Sequence, residues 1–216
     1  MKATGSGVVG LTAHFGNWEL LLFFCGHFTP GLLVGIAKRA KFERTHEFLH
    51  SLRSTNGIDI VYTDESPRKL IRALRNGKLL GFLPDQDLRT NKGVFVDFFG
   101  KPAYTVTMPV RLAFQVGAKM LLCGLVRQGK SFRFFYHLPF DIPRSADEDA
   151  DVARVTQHWS HLLEAEIRKL PEQWLWFDPR WRTPLERPRR HFRRRKKRAG
   201  EAVDALEPLN SMESPP

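Results

Sequence analysis

Residues 8–24 read VVGLTAHFGNWELLLFF, and this stretch decides the interpretation of the whole chain. Its first six residues have the pattern of a short buried strand, and residues 17–25 have that of an apolar helix. His14 therefore lies where a strand passes into a helix, a position at which α/β proteins place binding and catalytic residues. Gly16 allows a tight turn, so the carboxylate of Glu19 can approach the imidazole. The stretch predicts a general base, His14, oriented by Glu19.

The nucleophile for such a base has to come from outside this stretch. No serine or cysteine is placed beside the histidine, so the predicted nucleophile is a hydroxyl group of the substrate. A histidine at a strand end is also often a structural residue held by its neighbours, and a His–Glu spacing of five residues arises easily by chance. Other segments of the chain have to agree before the pair indicates a function.

The rest of the chain has the pattern of a parallel α/β fold. Three further strands are predicted, at residues 32–37, 58–62 and 79–83. The last of them is apolar throughout, which is typical of a parallel strand covered by helices on both faces. Residues 119–126 and 131–137 predict a hairpin that extends the sheet in the antiparallel direction. We expect an α/β fold with a mixed, mostly parallel sheet flanked by helices, and with His14, Arg39 and Asp85 at a common edge.

Three sequence blocks follow one another in a specific order: HFGNWE at residues 14–19, GFLPDQD at 81–87 and GVFVDFFGKPAYT at 93–105. The first resembles the His-x4-Glu/Asp block of the lysophospholipid acyltransferase superfamily, in the His-x-x-Asn-Trp-Glu form of its lipid A biosynthesis (late) acyltransferase family. In that family a strand ending in Pro-Asp-Gln/His-Asp comes next, followed by a glycine, an aromatic strand and Phe-Phe-Gly. Between the first two blocks the family carries an arginine on a helix, and Arg53 is the best match.

The resemblance weakens toward the carboxyl end of the chain. The family ends in an aromatic run with the pattern W-x-H-R-R-W/F-K, and residues 174–182 read WLWFDPRWR. Asp178 and Pro179 stand where the family usually has histidine and arginine. This departure from the family's pattern concerns the carboxyl-terminal contacts to substrate and leaves the predicted catalytic pair untouched.

The resemblance implies an enzyme that moves a fatty acyl group from acyl carrier protein to a hydroxyl of a lipid A precursor or related glycolipid, in lipopolysaccharide biosynthesis. Within this class, the alternative is acylation of another glycolipid or of a lysophospholipid from acyl-CoA. From a different class, the alternative is a non-catalytic basic adaptor for membranes or nucleic acid. The implied location is the cytoplasmic face of the inner membrane, as a peripheral protein, and no cofactor or metal is implied.

The residues that match the family form a catalytic pair, His14 and Glu19, and a substrate-binding set. The predicted substrate-binding residues are Asn17, Arg39, Arg53, Asp85, Gln86 and Asp87. The two arginines are expected to bind phosphate or sugar-acid groups, because a guanidinium can donate to two such oxygens at once. The two aspartates are expected to hold sugar hydroxyls or those arginines.

Length and composition favour one folded domain with a charged tail. The chain has 216 residues, 42% of them hydrophobic, and a net charge of +11. Nine lysines and arginines lie in residues 187–198 without an acid, and residues 199–216 carry four acids and no base. We expect an acyltransferase domain at residues 1–186 and a disordered tail, basic and then acidic, at residues 187–216. The basic run is expected to bind an anionic membrane surface rather than a specific nucleic acid, because no base-reading fold accompanies it.

Two short motif matches lack their structural context. Residues 5–10 satisfy the glycine pattern of dinucleotide sites, but the strand follows the glycines instead of preceding them. Residues 46–50 read HEFLH, as in zinc peptidases, but no third ligand is evident and such a pattern recurs by chance. The two cysteines, Cys25 and Cys123, have no metal-binding spacing and fit a reduced, cytosol-facing protein.

The sequence shows no signal peptide and no stretch that approaches the ~20 apolar residues of a bilayer span. The family normally carries an amino-terminal membrane anchor before its histidine block, whereas His14 comes near the start of this chain. We therefore expect either a shortened version of the family's chain, without that anchor, or a start codon assigned too late.

Overall fold

The structure, a computed structural model, describes residues 7–88, 92–140 and 144–186. The chain divides into a compact unit Met1–Thr183, which contains every helix and strand described, and a second unit Pro184–Pro216. The basic run that is predicted to bind membranes, residues 187–198, lies outside the described residues.

Strands and α-helices alternate up to residue 82, and two hairpins follow in the rest of the described chain. The strands are β1 (Val8–Leu11), β2 (Leu33–Ala37), β3 (Asp59–Tyr62), β4 (Leu79–Phe82), β5 (Gly93–Phe98), β6 (Lys101–Val106), β7 (Lys119–Gln128) and β8 (Ser131–Tyr136). The α-helices are α1 (Trp18–Phe28), α2 (Glu43–Arg53), α3 (Arg68–Arg75), α4 (Met108–Val116) and α5 (Glu148–Lys169). None of these helices is both long enough and apolar enough to cross a bilayer.

Six of the strands form one sheet, in the order β3-β2-β4-β1-β7-β8. Pairing is parallel from β3 through β7, and β8 alone runs antiparallel to its neighbour. The predicted mixed, mostly parallel sheet is confirmed. The expectation that β7 and β8 would join the sheet in the antiparallel direction is wrong for β7, which pairs in parallel with β1. The reason is helix α4, which returns the chain to the edge where β1 begins before β7 starts.

The first strand lies near the middle of the sheet because it is apolar on both faces. Val9, Gly10 and Leu11 are consecutive and all buried, so neighbouring elements cover both faces of the sheet at this point. Fully buried side chains also come from the strands on either side, Leu80 of β4 and Met120 of β7. The carboxyl end of β1 therefore opens between two well-packed strands, where ligands bind in open α/β sheets.

A separate antiparallel hairpin of β5 and β6 is fastened to helix α5. The side-chain amide of Gln157 exchanges hydrogen bonds with the backbone of Asp97, at 2.7 and 2.8 Å, and Glu164 accepts the backbone N–H of Phe99 at 2.7 Å. The ring of Phe99 stacks on Trp174, with centroids 6.3 Å apart. The hairpin thereby supports the segment that follows α5, which contributes to the site described below.

The two cysteines are brought together, although they lie far apart in the sequence. Cys25 of α1 and Cys123 of β7 are free thiols in hydrogen-bonding contact. This hydrogen bond lowers the pKa of the Cys25 thiol, against the effect of its burial. The same hydrogen bond, together with burial, raises the pKa of the Cys123 thiol.

Candidate active site

His14 and Asp85 lie side by side at the carboxyl edge of the sheet. Leu11 of β1 pairs with Phe82 of β4, and each polar residue follows three positions later, so the parallel register brings the two together. Oδ1 of Asp85 lies 2.9 Å from Nδ1 of His14, and Oδ2 accepts the backbone N–H of His14, also at 2.9 Å. The carboxylate is buried. The structure thus brings these two residues together at one sheet edge, where they were expected.

The carboxylate of Asp85 selects one tautomer of His14. Because an ionised carboxylate can only accept hydrogen bonds, Nδ1 carries a proton and donates it to Oδ1, and Nε2 keeps its lone pair. The indole N–H of Trp174 also donates to Oδ2, at 3.2 Å, so three donors hold the carboxylate in place. A fixed imidazole with a free Nε2 has the geometry of a general base.

The pKa of His14 reflects opposing influences. Burial works to lower it, because burial disfavours the charged imidazolium. The hydrogen bond and the charge of Asp85 work in the opposite direction, with smaller contributions from the charges of Asp178 and Glu19, and the net pKa of His14 is raised. The imidazole is therefore a stronger base than it would be in water. Its side chain is 20% exposed, so a substrate can reach it.

Glu19, which was expected to orient His14, is paired with Arg53 instead. Its Oε2 accepts from Nε of Arg53 at 3.0 Å, and a second, shorter contact joins Oε1 to Nη2. Glu19 lies in the first turn of α1 and Arg53 in the last turn of α2, so this two-point contact fastens the helices together. The predicted position of Glu19 beside the imidazole is therefore corrected: Asp85 orients His14, and Glu19 influences it through its charge.

Arg39 follows β2 at the same edge of the sheet, as expected, but its guanidinium already has partners. Its Nε donates to Oδ2 of Asp64 at 3.0 Å, and its Nη1 lies 3.0 Å from Nε2 of His46. Its central carbon lies 4.2 Å from the centroid of the Tyr62 ring. Both members of the ion pair are exposed, and such pairs contribute only about 0–1 kcal/mol. Arg39 can therefore exchange Asp64 for the phosphate of a ligand.

Two of the remaining residues in the predicted substrate-binding set, Asn17 and Asp87, form hydrogen bonds within the protein. Asn17 caps helix α1, and its side-chain oxygen accepts the backbone N–H of Leu20 at 3.0 Å. Asp87 is buried, and both of its oxygens are used by Thr183, whose backbone N–H and hydroxyl donate at 2.6 and 2.7 Å. The structure shows Asp87 bonded to Thr183 rather than to Arg39 or Arg53, the two arginines that it was expected to hold. Gln86 stands between Asp85 and Asp87 in the sequence and is half-buried.

Two residues of the site were not predicted from the sequence. Trp174 donates to the carboxylate of Asp85, as described above. Arg180 is only 2% exposed and donates to the carbonyl of Tyr104 at 2.7 Å and to the hydroxyl of Thr105 at 2.5 Å. Both lie in the aromatic run at residues 174–182, beyond the last helix. The sequence feature that could have indicated them is an arginine among several tryptophans.

Arg180 supplies a buried positive charge beside the carboxylates. Burial lowers the pKa of Arg180 to about 10, although the charges of Asp85, Asp87 and Asp178 work to raise it. Its Nε is the one buried side-chain nitrogen or oxygen without a hydrogen-bond partner among the described residues. A positive charge buried in this way is stable only when negative charges lie nearby. We interpret Arg180 as the counter-charge of the two buried aspartates.

Two backbone amides at the start of α1 are available next to the histidine. The N–H groups of Gly16 and Asn17 donate to backbone carbonyls, and the N–H of Leu20 donates to the capping side chain. The N–H groups of Trp18 and Glu19 have no acceptor within the described part of the chain, as is usual in the first turn of a helix. The partial positive charge of the helix start favours an anion at this point.

The histidines of the HEFLH pattern take part in a polar network. His46 contacts Arg39, and Nδ1 of His50 lies 2.9 Å from the hydroxyl of Tyr62. Among residues 7–88, 92–140 and 144–186, no group of three histidine, cysteine or acidic side chains is placed to hold a metal ion.

Comparison with known proteins identifies relatives of this chain. A sequence model of the family described as bacterial lipid A biosynthesis acyltransferase matches residues 1–183. The chain is 28% identical over 192 residues to phosphatidylinositol mannoside acyltransferase of Mycobacterium tuberculosis, covering 87% of this chain and 58% of that protein. It is 28% identical over 119 residues to lipid A biosynthesis palmitoleoyltransferase of Escherichia coli, covering 54% of this chain and 37% of that protein. The chain thus spans about half the length of these relatives.

The matched range contains every residue of the site. It includes the His14–Asp85 pair, the Glu19–Arg53 pair and the aromatic run at residues 174–182. One family therefore accounts for the sequence blocks and for the folded unit that carries them. The chain belongs to the bacterial lipid A biosynthesis acyltransferase family.

Proposed function

We propose that this chain transfers a fatty acyl group from a thioester to a hydroxyl group of a membrane glycolipid. The observation that supports this most strongly is the His14–Asp85 pair, in which Nδ1 is bound and Nε2 is free to accept a proton. Within the described residues, no serine or cysteine is a hydrogen-bond partner of His14. The hydroxyl that the imidazole activates therefore belongs to the acceptor.

The reaction takes place at Nε2 of His14. As the acceptor oxygen attacks the thioester carbonyl, a C–O bond forms, Nε2 takes the hydroxyl proton, and Asp85 stabilises the imidazolium. The carbonyl oxygen becomes an oxyanion, which the free amides of Trp18 and Glu19 stabilise. When the tetrahedral intermediate collapses, the C–S bond breaks and the imidazolium gives its proton to the leaving thiolate. The products are an ester and a free thiol, and His14 is neutral again.

Two arginines provide positive charge for anionic groups of the substrates. The contact with Glu19 uses Nε and Nη2 of Arg53, so its Nη1 remains for a substrate oxygen. Arg39 is in an exposed ion pair that a phosphate can displace. We propose that both residues bind phosphate or acidic sugar groups, for which the forked guanidinium is well suited.

The names of the relatives suggest the class of acceptor. One relative is named for phosphatidylinositol mannoside and another for lipid A biosynthesis. We propose a lipid A precursor or a related glycolipid as acceptor, acyl carrier protein as donor, and acyl-CoA as the alternative donor. We also propose that the protein works at the cytoplasmic face of the inner membrane, as a peripheral protein.

The direct test is acyl transfer by the purified chain. Radiolabelled acyl groups are supplied on acyl carrier protein or on CoA, with a lipid A precursor or phosphatidylinositol mannoside in detergent micelles, and lipid products are separated by thin-layer chromatography. We expect transfer from at least one donor, abolished in His14→Ala. The matched control is His27→Ala, which removes an exposed histidine at the other end of α1 and should retain activity.

Two outcomes would contradict the proposal in different ways. Transfer by His14→Ala at the rate of the parent would remove the assigned base. Failure of the folded parent to use any of these donor and acceptor pairs would overturn the enzymatic proposal and favour the non-catalytic adaptor.

A further inference from the structure

Three aromatic side chains close to the active site face solvent. Trp176 is 49% exposed, Phe177 95% and Trp181 36%. Both tryptophans contact Trp174, with ring centroids 4.6 and 6.4 Å apart. Among the large apolar side chains that the structure describes, that of Phe177 is the most exposed. Grouped exposed apolar side chains usually mark a contact with a partner. We call Trp176, Phe177 and Trp181 the aromatic tip.

The aromatic tip is held firmly against the catalytic residues. The indole N–H of Trp176 donates to a backbone carbonyl at 2.7 Å, and its ring packs against Trp174, which donates to the catalytic carboxylate. The backbone N–H of Leu175 donates to the carbonyl of His14 at 2.9 Å. Phe177 therefore extends from a segment whose backbone is bonded to the catalytic histidine.

Positive charge accompanies the aromatic tip. Arg182 follows it directly and is exposed, and the guanidinium of Arg168 lies 4.7 Å over the ring of Phe99, a neighbour of the tip. In the sequence, nine lysines and arginines follow at residues 187–198. The one acid between the aromatic residues, Asp178, lies 4.0 Å from Arg182. Aromatic side chains beside cations are typical of protein surfaces at a bilayer interface, where rings lie at headgroup level and cations meet anionic lipid.

We propose that the aromatic tip inserts into the interface of an anionic lipid bilayer. Phe177 enters the upper acyl-chain region, Trp176 and Trp181 lie among the headgroups, and Arg182 binds lipid phosphate. This inference rests on the proposed function, since a glycolipid acceptor stays in the bilayer and His14 has to reach its hydroxyl there. A tip whose segment is bonded to His14 places the imidazole at the boundary between lipid and water.

A protein partner fits the aromatic tip less well than a bilayer does. A stable protein–protein interface buries roughly 800 Å² on each partner, whereas the tip consists of three side chains, two of them more than half covered. An interfacial membrane contact requires only a few inserted apolar groups combined with nearby positive charge. The composition of the tip therefore favours anionic lipid as its partner.

The test is binding to vesicles by the full chain, without donor or acceptor. Phe177→Ser is compared with the parent by co-sedimentation with vesicles of phosphatidylcholine and phosphatidylglycerol. We expect the partition coefficient to fall by roughly ten- to a hundredfold, as one phenylalanine side chain leaves the apolar phase. Phe177→Leu keeps an apolar side chain and should retain most of the binding. In the parent, brominated lipids should quench tryptophan fluorescence, and less so in Phe177→Ser.

The matched control removes another exposed apolar side chain. Leu138 is 78% exposed and follows β8 at the opposite edge of the sheet, so Leu138→Ser should bind vesicles as the parent does. Equal binding by Phe177→Ser and Leu138→Ser would overturn the inference. So would dissociation of a dimer in Phe177→Ser without vesicles, because the tip would then cover a second copy.

The same vesicle measurement on a catalytic variant separates this inference from the proposed function. His14→Ala should bind vesicles like the parent although it transfers no acyl group. Failure of the vesicle prediction would therefore leave the chemistry at His14 intact.

Discussion

Replacing Asp85 with asparagine tests which carboxylate orients His14. The substitution keeps the size of the side chain but removes its charge and one of its two acceptor oxygens. Three donors meet the carboxylate in the structure: the ring and backbone N–H groups of His14 and the indole N–H of Trp174. If the amide oxygen retains the two donors at Oδ2, the amide NH2 group faces Nδ1 of the imidazole.

This arrangement reverses the tautomer of His14. Facing an amide donor, Nδ1 becomes an acceptor and the ring proton moves to Nε2, which then cannot take a proton from the acceptor hydroxyl. We expect Asp85→Asn to lower kcat by roughly 10²- to 10⁴-fold, the share that a positioned general base typically supplies. The protein should stay folded, because the amide still meets all three groups.

The loss of charge also changes the pH dependence. Burial lowers the pKa of His14, and in the parent it is outweighed by the hydrogen bond and charge of Asp85 together with the charges of Asp178 and Glu19. Without that charge the effect of burial dominates, so the pKa of His14 falls and the acid limb of the residual pH–rate profile moves to lower pH. Glu19→Gln removes the smallest of the named contributions, so its acid limb should move little.

The assay follows thiol release from the acyl donor between about pH 5 and pH 9, which brackets the titration of histidine. Circular dichroism and thermal unfolding confirm that each variant is folded. A kcat like that of the parent and an unshifted acid limb in Asp85→Asn would refute the reasoning. If Glu19→Gln then showed the large loss and the shift, the His14–Glu19 dyad expected from the sequence would be restored.

Three further measurements test other parts of the structure. Arg180→Met should lower the free energy of unfolding in urea by roughly 2–4 kcal/mol, because two buried acceptors lose a charged donor, and an unchanged value would contradict its structural role. Truncation after Glu186 should weaken binding to anionic vesicles, most strongly at low salt, and equal binding of both chains would refute a role for the basic run. In the native protein Cys25 should react with iodoacetamide faster than Cys123, since its pKa is lowered by their hydrogen bond; mass spectrometry showing the reverse order would contradict this.

The edge of the sheet that carries the site could be predicted from local patterns. Uniformly apolar runs mark buried parallel strands, and parallel strands end at the same edge, so His14, Arg39 and Asp85 were expected there. The order of the strands has no such local signal, because β4 lies between β2 and β1 although β3 precedes it in the chain. Which of the polar residues touch depends on that order, and here β4 delivers Asp85 to His14.

The carboxyl-terminal part of the site was missed for a different reason. Trp174 lies 89 residues beyond Asp85, and Arg180 follows in a segment without helix or strand. No periodic pattern therefore predicts the contact of Trp174 with Asp85 or that of Arg180 with β6. In the sequence Arg180 resembles any surface arginine. Its burial follows from tertiary contacts alone, since its acceptors lie on β6.

The two carboxylates show how far a short spacing can be interpreted. Five positions bring Glu19 close enough for its charge to act on His14, but its carboxylate meets two donors of Arg53 on α2. Asp85 is 71 residues away, yet its strand runs in register with β1, so one carboxylate binds both the ring and the backbone N–H of the histidine. The parallel register of β1 and β4 makes Asp85 the residue that orients His14. Substituting Glu19 should therefore mainly release Arg53, which is proposed to bind substrate, and so raise KM.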